Sequence, residues 1–483
     1  MAKKFLSFLG GSAYTKCIYK YADLPKDVKR ECETYFIQEA LTEIFCQDWD
    51  ENDEAIIFLT DIAKNYNWIP NDHVKLRNPD RIEKRKGLEF DLKRHNLNYN
   101  DTDENVIKDK RFKIKSVDIK DGNSMEEIWE NFDIVIDQIK ENDEIIFDIT
   151  HAFRYIPMLA LVVLSYAKVL KNVKIIGIYY GNFEYKNDAY KNPEFENDQR
   201  PIMNLIQLSE ILEWSQAVNS FVKYGISDHI RSFATEVLDS ENNKAYYKED
   251  KEDIEQLVKS LDDFTKSIQT CRGRTIGESD ETNSIFKAYQ KLDESLNKIL
   301  ENKFNNTMKP LVHITGKIED AMEIFKPVDN REEVINTGLG VVKWSLDNNL
   351  IQQAFTALLE TMVSYMCILL DLENVGEVAA YNDRKRRETA SKKINENYNA
   401  YKDRCKSKHQ KVPFKDNKEE LSFVIGELKR IRNDINHYGY CYFGEGYADK
   451  KPSRSYEELT KTVEDSYNKF VKIIQKIENT NLQ

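Results

Sequence analysis

Short apolar runs alternate with helix-like segments over the first 185 residues of the chain. Runs of this length with few charges are typical of buried strands, whereas apolar residues at steps of three and four indicate helices. The predicted strands are residues 4–9, 55–60, 112–119, 144–149 and 173–180, and the predicted helices are 29–46, 124–140 and 153–171. This order favours a Rossmann-like, doubly wound parallel sheet. Residues 66–110 are rich in charge and Asn and follow neither pattern.

The rest of the chain has helical periodicity. Residues 203–380 repeat apolar positions at helical spacing, and 351–372 is apolar enough to be a buried helix. A further stripe, on 421–435, consists of Leu421, Val424, Ile425, Leu428, Ile431 and Ile435. We therefore predict an α/β domain at 1–185, a helical connector at 186–330 and an all-α domain at 331–483.

Composition restricts the class of protein. A chain of 483 residues is too long for one ordinary core and suits two or three domains. No apolar run approaches the ~18 residues of a membrane span, and the apolar part of the N-terminus is shorter than the ~7 residues of a signal-peptide core. Seven scattered cysteines without C-x-x-C pairs favour reduced thiols and argue against a zinc site. We expect a cytoplasmic protein without membrane or metal.

Charge distribution singles out one segment. The net charge of −12 argues against a protein that coats long nucleic acids. Between Arg384 and Lys411, however, 11 Lys or Arg residues face only three Asp or Glu, with Tyr398 and Tyr401 interleaved. The segment is either a solvated loop or a cationic path for a single RNA strand, with tyrosines for base stacking.

Polar residues follow several of the predicted strands. Ligands of doubly wound sheets bind where parallel strands end. The residues at these ends are Gly10, Gly11 and Ser12 after the first strand, Thr60 after the second, and Asp148, Thr150, His151 and Arg154 after the fourth. The set suits a nucleotide, since glycine amides approach phosphate closely. The alternatives are a tight turn for the glycines, caps of the next helix for Asp148 and Thr150, and a structural role for His151.

Arg432 and His437 stand five positions apart at the end of the last apolar stripe. Five helical residues turn through about 500°, so Arg432 and His437 of one helix point in different directions. Two copies of the helix about a two-fold axis could bring both Arg-His pairs around one cleft. An arginine, a histidine and the 2′-hydroxyl of RNA suffice for cleavage, and Asn433 can orient a phosphate oxygen. The spacing alone equally fits a helix C-terminus closed by Gly439.

The same spacing recurs at Arg404 and His409. That segment lacks an apolar period that would hold a geometry, so we interpret the match as a surface coincidence.

The residues around these positions resemble a known family. Arg432-Asn433-x-x-x-His437 resembles the catalytic motif of HEPN ribonucleases. Residues 147–154 (Phe-Asp-Ile-Thr-His-Ala-Phe-Arg), followed by Pro-Met-Leu, resemble the CARF signature of CRISPR-associated CARF-HEPN ribonucleases. Residues 5–14, 36–41 and 344–360 are similar to the same group. Ala152 replaces the glycine expected between His151 and the phenylalanine.

The resemblance implies an ancillary effector of type III CRISPR systems. The strand ends of its CARF domain would bind a cyclic oligoadenylate across the two-fold axis of a homodimer. Cyclic tetra-adenylate is the first choice of ligand, and cyclic hexa-adenylate is the alternative. The ring would contact Gly10, Gly11, Ser12, Thr150, His151 and Arg154. Binding would activate cleavage of single-stranded RNA at Arg432 and His437 in a dimer or higher even oligomer. We also expect the helical core to place Glu360 and Gln353 near Arg432, the alternative for Glu360 being an ordinary surface acid.

The expected mechanism needs no metal. His437 activates the 2′-hydroxyl or protonates the leaving oxygen, Arg432 stabilises the phosphorane-like charge, and the product carries a 2′,3′-cyclic phosphate. Two alternatives stay open. The first is a ring-opening enzyme that hydrolyses its own cyclic ligand with His151, and the second is a non-catalytic oligoadenylate-binding regulator.

Overall fold

The computed structural model describes residues 1–75, 82–96, 111–151, 155–185, 194–196, 198–239, 248–273, 284–301, 309–326, 333–371, 384–436 and 454–481. Two compact units make up the chain, Met1–Glu210 and Ile211–Gln483.

The first unit is built on a mixed eight-stranded sheet. Its strands lie in the order β3-β2-β10-β9-β8-β1-β4-β7, and β5 and β6 form a separate hairpin. The bounds are β1 Lys3–Leu9, β2 Cys17–Lys20, β3 Glu31–Thr34, β4 Glu54–Leu59, β5 Asn71–Lys75, β6 Ile82–Arg85, β7 Lys113–Asp118, β8 Glu144–Asp148, β9 Lys174–Gly181 and β10 Gln199–Asn204. The five strands β7, β4, β1, β8 and β9 are parallel neighbours, as predicted.

Helices cover both faces of this sheet: α1 Ile37–Phe45, α2 Leu88–Asn96, α3 Met125–Asp137 and α4 Ile156–Lys171. The central strand β1 explains why. Phe5 and Leu9 belong to the apolar core on the α1 and α2 side, whereas Leu6 and Phe8 belong to the core on the α3 and α4 side. A parallel strand that is buried on both faces has a nearly continuous apolar sequence, which made these strands predictable.

The prediction of an entirely parallel sheet is wrong, because β10 pairs antiparallel with β9, and β2 with β3. The predicted helix 29–46 is also too long, because its start forms β3 and α1 begins at Ile37. The sequence of β3 is Glu-Cys-Glu-Thr, with two exposed glutamates on an edge strand, so it carries little apolar signal. Strand β10 lies C-terminal to residue 185, the expected end of the α/β domain.

The second unit is helical in the part of the chain that the structure describes. Its helices are α5 Ile206–Tyr224, α6 Asp228–Asp239, α7 Lys251–Gln269, α8 Ile285–Glu301, α9 Lys309–Met322, α10 Glu333–Asp347, α11 Ile351–Asp371, α12 Arg384–Lys408, α13 Asn417–Asn436 and α14 Tyr456–Asn481. The first of these begins within the N-terminal unit. One apolar core joins α5 to α10, and a second joins α10 to α14.

Helix α11 is the most apolar of these. Its stretch Ile351–Leu370 is long and apolar enough to cross a membrane by composition, yet 67% of it is buried inside the fold. Leu358, Met362 and Met366 are fully buried in the second core. The helix therefore has the character of a core helix, as its sequence predicted.

Of the two alternatives for the basic segment, the loop is wrong, since residues Arg384–Lys408 form the 25-residue helix α12. Its apolar contacts come mainly from Ala390, Ile394 and Tyr401, which is too sparse a set for a visible period. Tyr401 is 5% exposed and its ring stacks on Phe414 at 4.5 Å, so it is not available for base stacking. Arg404 pairs with buried Glu419 at 2.6 Å and fixes α12 to α13.

Candidate functional site

The polar residues that follow β1, β4 and β8 are called the rim, and they lie where successive strands are added on opposite sides of β1. After β1 the chain forms β2 and β3 at the far edge of the sheet, then adds β4 and β7 on one side of β1 and places β8 on the other side. Both neighbours of β1 run parallel to it, with Leu9 opposite Leu59 and Ser7 opposite Asp148. The carboxyl ends of β1, β4 and β8 therefore share one edge, and ligands of open α/β sheets bind at such a switch point.

The loop after β1 is held by polar contacts from within the unit. Asn67 Nδ2 donates hydrogen bonds to the carbonyl oxygens of Gly10 at 2.7 Å and Ser12 at 2.9 Å. The Gly10 N–H donates to Tyr14 Oη at 2.9 Å. A Cβ on Gly10 would lie 2.6 Å from that hydroxyl, and one on Gly11 would lie 2.5 Å from Ile62 Cγ2. Close packing against the buried Tyr14 thus favours glycine at position 10, and a side chain at position 11 would displace the exposed Ile62.

Asp148 organises the loop after β8. Its carboxylate is fully buried and accepts hydrogen bonds from Ser7 Oγ at 2.7 Å and from the Thr150 N–H at 2.9 Å. Gln38 Nε2 in turn donates to Ser7 Oγ at 3.1 Å. Burial raises the pKa of Asp148 to about 6, although both hydrogen bonds oppose the rise. The residue shapes the loop rather than capping α4, which begins only at Ile156.

The buried carboxyl predicts a pH-dependent stability. The pKa of Asp148 is about 6 in the fold and about 3.9 in an unfolded chain. Between these values only the folded state binds the proton, so wild-type stability falls as pH rises from about 4 to 7. Asp148→Asn keeps the shape and removes this dependence. We expect the variant to gain about 1–3 kcal/mol relative to wild type over this range. Hydrogen exchange of the β8 amides measures the free energy of unfolding of both proteins. A stability difference between them that does not change with pH would contradict the raised pKa of Asp148.

Thr150 and His151 extend from this loop. Thr150 Oγ1 accepts a hydrogen bond from the Gly181 N–H at 2.8 Å, which joins the loop to β9. The His151 ring lies 4.3 Å from the Tyr14 ring, and its Nε2 is shielded from solvent with no hydrogen-bond partner among the described residues. Burial lowers the pKa of His151 to about 4, so the imidazole is neutral at pH 7. Ala152 and Arg154 lie outside the described residues.

Thr60 has a structural contact of its own. It is buried, and its Oγ1 accepts a hydrogen bond from the Ala63 N–H at 3.3 Å as the N-cap of a short helical turn, Asp61–Ala63. That turn continues as a wider π-helical turn, Lys64–Trp68, which carries Asn67. Thr60 therefore positions the segment that holds the Gly10–Ser12 loop.

In the second unit, Arg432 lies on α13, whose buried stripe includes Leu421, Val424, Ile425, Leu428 and Ile431, as predicted. Helices α11 and α13 pack antiparallel along one face of each. Gln352 Nε2 of α11 lies 3.5 Å from Asn436 Oδ1 of α13. Glu360, about two turns further along α11, lies within electrostatic range of Lys429 of α13. Along α13, Arg432 lies between Lys429 and Asn436.

Two observations locate the guanidinium. Cys271 hydrogen-bonds to Thr356 and lies close enough to Arg432 for the cation to favour the thiolate, although burial raises the pKa of Cys271. Burial lowers the pKa of Lys429, with Arg432 contributing by repulsion and Glu360 opposing. Arg432 Nε is shielded from solvent and has no hydrogen-bond partner within the described part of the chain.

Asn433 and His437 are the other predicted catalytic residues, and Glu360 and Gln353 were expected to lie near Arg432. Asn433 is exposed on α13, one position after Arg432, while His437 lies outside the described residues. Glu360 forms an ion pair with Arg387 of α12, whose Nη1 also donates to Ser364 Oγ at 2.8 Å. Gln353 Nε2 donates to the Gln269 carbonyl at 3.4 Å. Arg432 is thus a partly shielded cation beside polar side chains, an arrangement able to bind and stabilise a phosphate.

Two comparisons with known proteins bear on this chain, one over residues 4–189 and one over most of its length. Residues 4–189 match the family described as the CARF domain of the CRISPR system endoribonuclease Csx1. The sheet and this match together support a CARF domain of the Csx1 type in the N-terminal unit. CRISPR-associated protein MJ1674 of Methanocaldococcus jannaschii is 25% identical over 442 residues, covering 90% of this chain and 58% of that protein. The chain thus spans somewhat more than half the length of this curated relative. The HEPN resemblance of the helical unit stays a prediction.

Several residues of the rim escaped the sequence analysis. Ser7 and Gln38 support Asp148, and Asn67 holds the loop after β1. Ser7 is the one hydroxyl within the apolar run of β1, which is a detectable signal for a buried polar network. Gln38 and Asn67 make contacts across 31 and 57 positions, and no local pattern marks such contacts.

Proposed function

We propose that this chain is an RNA endonuclease of type III CRISPR defence that is activated by cyclic oligoadenylate. The observation that carries the proposal is Arg432, a shielded cation beside the polar face of α11, in a chain whose N-terminal unit matches a CARF domain. The substrate is single-stranded RNA, because the 2′-hydroxyl supplies a nucleophile that DNA lacks.

The sensor function is supported by the switch-point rim. Of the two glycines after β1, Gly10 already donates its N–H to Tyr14 Oη, so the Gly11 amide and the neutral His151 side chain are the groups proposed to hydrogen-bond phosphates and bases of a cyclic oligoadenylate. Cyclic tetra-adenylate is the proposed activator, with cyclic hexa-adenylate as the alternative. Thr150 links this loop to β9, so a ligand that moves the loop acts directly on the sheet.

Catalysis follows from the charge change at phosphorus. Attack of the 2′-hydroxyl adds negative charge to the phosphoryl oxygens, which the Arg432 guanidinium stabilises more strongly in the transition state than in the ground state. His437 supplies the proton transfer, and Asn433 orients a phosphate oxygen. The products carry a 2′,3′-cyclic phosphate and a 5′-hydroxyl. The protein itself needs no metal and acts in the cytoplasm.

A homodimer is part of the proposal, because α4 presents an apolar face to solvent. Its exposed residues recur at helical spacing: Met158, Leu161, Val162, Tyr166, Val169 and Leu170. Contiguous exposed apolar side chains of this kind mark an interaction surface. A second copy of the same helix about a two-fold axis would bury the face and pair two catalytic units.

Disrupting this face tests the dimer. The double variant Val162→Glu/Val169→Glu places two carboxylates on a surface that a dimer would bury, so we expect monomers and a loss of ligand-dependent cleavage of at least about 10-fold. Val28→Glu is the matched control and should stay dimeric, because Val28 is an exposed valine of the same unit that does not belong to α4. Sedimentation equilibrium reports the mass. A dimer that survives both glutamates would refute the assignment of this face.

The decisive experiment on function is cleavage of a quenched fluorescent RNA by the purified full chain in EDTA. Cyclic tetra-adenylate, cyclic hexa-adenylate or no ligand is added. We expect cleavage to depend on one ring size and the new ends to carry 2′,3′-cyclic phosphates. Abolition by EDTA, or products with 3′-hydroxyl ends, would contradict the mechanism. Binding of the ring without cleavage under any condition would favour a non-catalytic regulator.

A second candidate activity rests on His151. Its Nε2 has no partner among the described residues, and burial keeps the imidazole in its neutral form at pH 7. If a ligand 2′-hydroxyl lies against it, the imidazole can promote opening of the ring. Liquid chromatography of cyclic tetra-adenylate after prolonged incubation distinguishes a linear product from intact ligand.

A further inference from the structure

A cavity of about 910 Å³ lies within the helical unit. Helices α7, α8, α10, α11 and α12 all contribute to its wall. The volume is in the range of about 300–1,000 Å³ that small-molecule sites occupy. Neither the sequence motifs nor the comparisons assign this cavity a role.

The cavity adjoins Arg432 through shared residues. Thr356 and Glu360 of α11 and Cys271 all line it. Cys271 lies within electrostatic range of Arg432 and hydrogen-bonds to Thr356, and Glu360 lies within electrostatic range of Lys429. A phosphate held at Arg432 would thus sit at the margin of the cavity, and the base of an adjoining nucleotide would be within reach of its interior.

The wall chemistry suits a flat, neutral, hydrogen-bonding group. Apolar side chains, including Ile285, Phe286 and Val341, form one part of the wall. The polar part is formed by α11 and α12 and includes Thr361, Ser364, Ser391 and Asn395. Nucleobases bind in such surroundings, with the ring against apolar or aromatic groups and the edges on hydroxyls and amides.

Charge within the cavity argues for the base rather than the phosphate. Arg387 and Lys392 are balanced by Glu360 and Glu388 among the lining residues. The Arg387 guanidinium already pairs with Glu360 and Ser364. Because these charges balance, the cavity has no net positive charge to attract a phosphate, whereas Arg432 and Lys429 at its margin provide positive charge for one.

We propose that this cavity is a nucleobase pocket for the RNA nucleotide beside the scissile phosphate and that it sets the base preference of cleavage. The proposal rests on the proposed ribonuclease function and adds a specificity site to it. The pocket distinguishes bases, because the ring would lie against the apolar wall while the hydroxyls and the amide of α11 and α12 would meet its edge.

Filling the cavity tests the proposal. Ala357 lines it, and Ala357→Leu adds volume without loss of helix propensity. Ala400→Leu, at an exposed alanine of α12 outside the lining, is the matched control. Asn395→Ala provides a second variant, because Asn395 is exposed and lines the polar wall, so its replacement does not endanger folding.

The first readout is the distribution of cleavage sites in a randomised RNA. We expect Ala357→Leu to lower kcat/KM at the preferred base by about 10-fold or more, and to change disfavoured bases little, so that the preference flattens. Asn395→Ala should change the preference, and Ala400→Leu should not. An unchanged preference in both cavity variants would overturn the pocket, while activated cleavage itself would still support the ribonuclease.

The second readout does not require cleavage. Saturation-transfer NMR of AMP, GMP, CMP and UMP with the full chain detects binding of free nucleotides. At least one should bind wild type and Ala400→Leu, and its signal should be lost with Ala357→Leu. Equal signals in all three proteins, or none with any nucleotide, would overturn the pocket. If no RNA is cleaved with any ring, the ribonuclease proposal fails and this binding result alone decides the pocket.

Discussion

Replacing Arg432 with alanine is expected to lower ligand-activated RNA cleavage by about 10²–10³-fold, the usual effect of removing one donor that stabilises transition-state charge. Arg432 Nε is shielded from solvent and has no hydrogen-bond partner among the described residues, and no carboxylate among them pairs with the guanidinium, so its charge is not neutralised before a substrate phosphate binds. Cyclic oligoadenylate binding should be unaffected. Initial rates on a quenched RNA in EDTA measure the first effect, and equilibrium binding of labelled ligand measures the second.

Arg430→Ala provides the matched control, because Arg430 lies two residues away on the same helix, is 61% exposed and pairs with Glu427. It should keep activity within about twofold, since exposed ion pairs of this kind contribute little. Arg432→Lys separates charge from shape: a lysine keeps the charge but loses the two-pronged geometry that suits phosphate, so partial activity is expected. Full activity of Arg432→Ala would refute the proposed catalytic role.

The strength of the local apolar signal decided which elements could be predicted. Strands β1, β4 and β8 are buried on both faces, and their apolar runs are nearly unbroken. Edge strand β3 pairs only with β2, and its glutamates are exposed, so its conformation depends on a contact that local sequence does not reveal. Helix α12 was missed for a related reason. It packs through few apolar side chains, and ion pairs such as Arg404 with Glu419 supply the rest.

The candidate rim was predictable only as a set of strand ends. Once β1 and β8 are parallel neighbours, Gly10 and Thr150 must lie at one edge of the sheet, and the structure places them there. The contacts that shape this edge come from Asn67 and Gln38, which are distant in sequence and carry no motif. The surroundings of Arg432 could not be predicted either, because its closeness to Cys271 depends on how α7 packs with α11 and α13.

His151→Ala is expected to raise the concentration of cyclic tetra-adenylate that gives half-maximal activation by about 10–100-fold. A hydrogen bond to a charged group such as a ligand phosphate contributes about 1.5–3 kcal/mol, which corresponds to this range. His151 Nε2 is shielded and has no partner among the described residues, and the neutral ring has one donor and one acceptor. Activation curves with quenched RNA measure the shift, and the maximal rate at saturating ligand should be retained.

Two further variants show whether His151 binds the ligand or merely packs. His151→Gln provides an amide in place of the imidazole and should recover part of the affinity, because packing against Tyr14 at 4.3 Å alone would not favour glutamine over alanine. His229→Ala, at an exposed histidine of the helical unit, should leave the curve unchanged. Equal activation curves for wild type and His151→Ala would remove His151 from the sensor. If His151→Ala instead leaves the activation curve unchanged but abolishes the slow conversion of cyclic tetra-adenylate to a linear product, His151 acts in opening the ring.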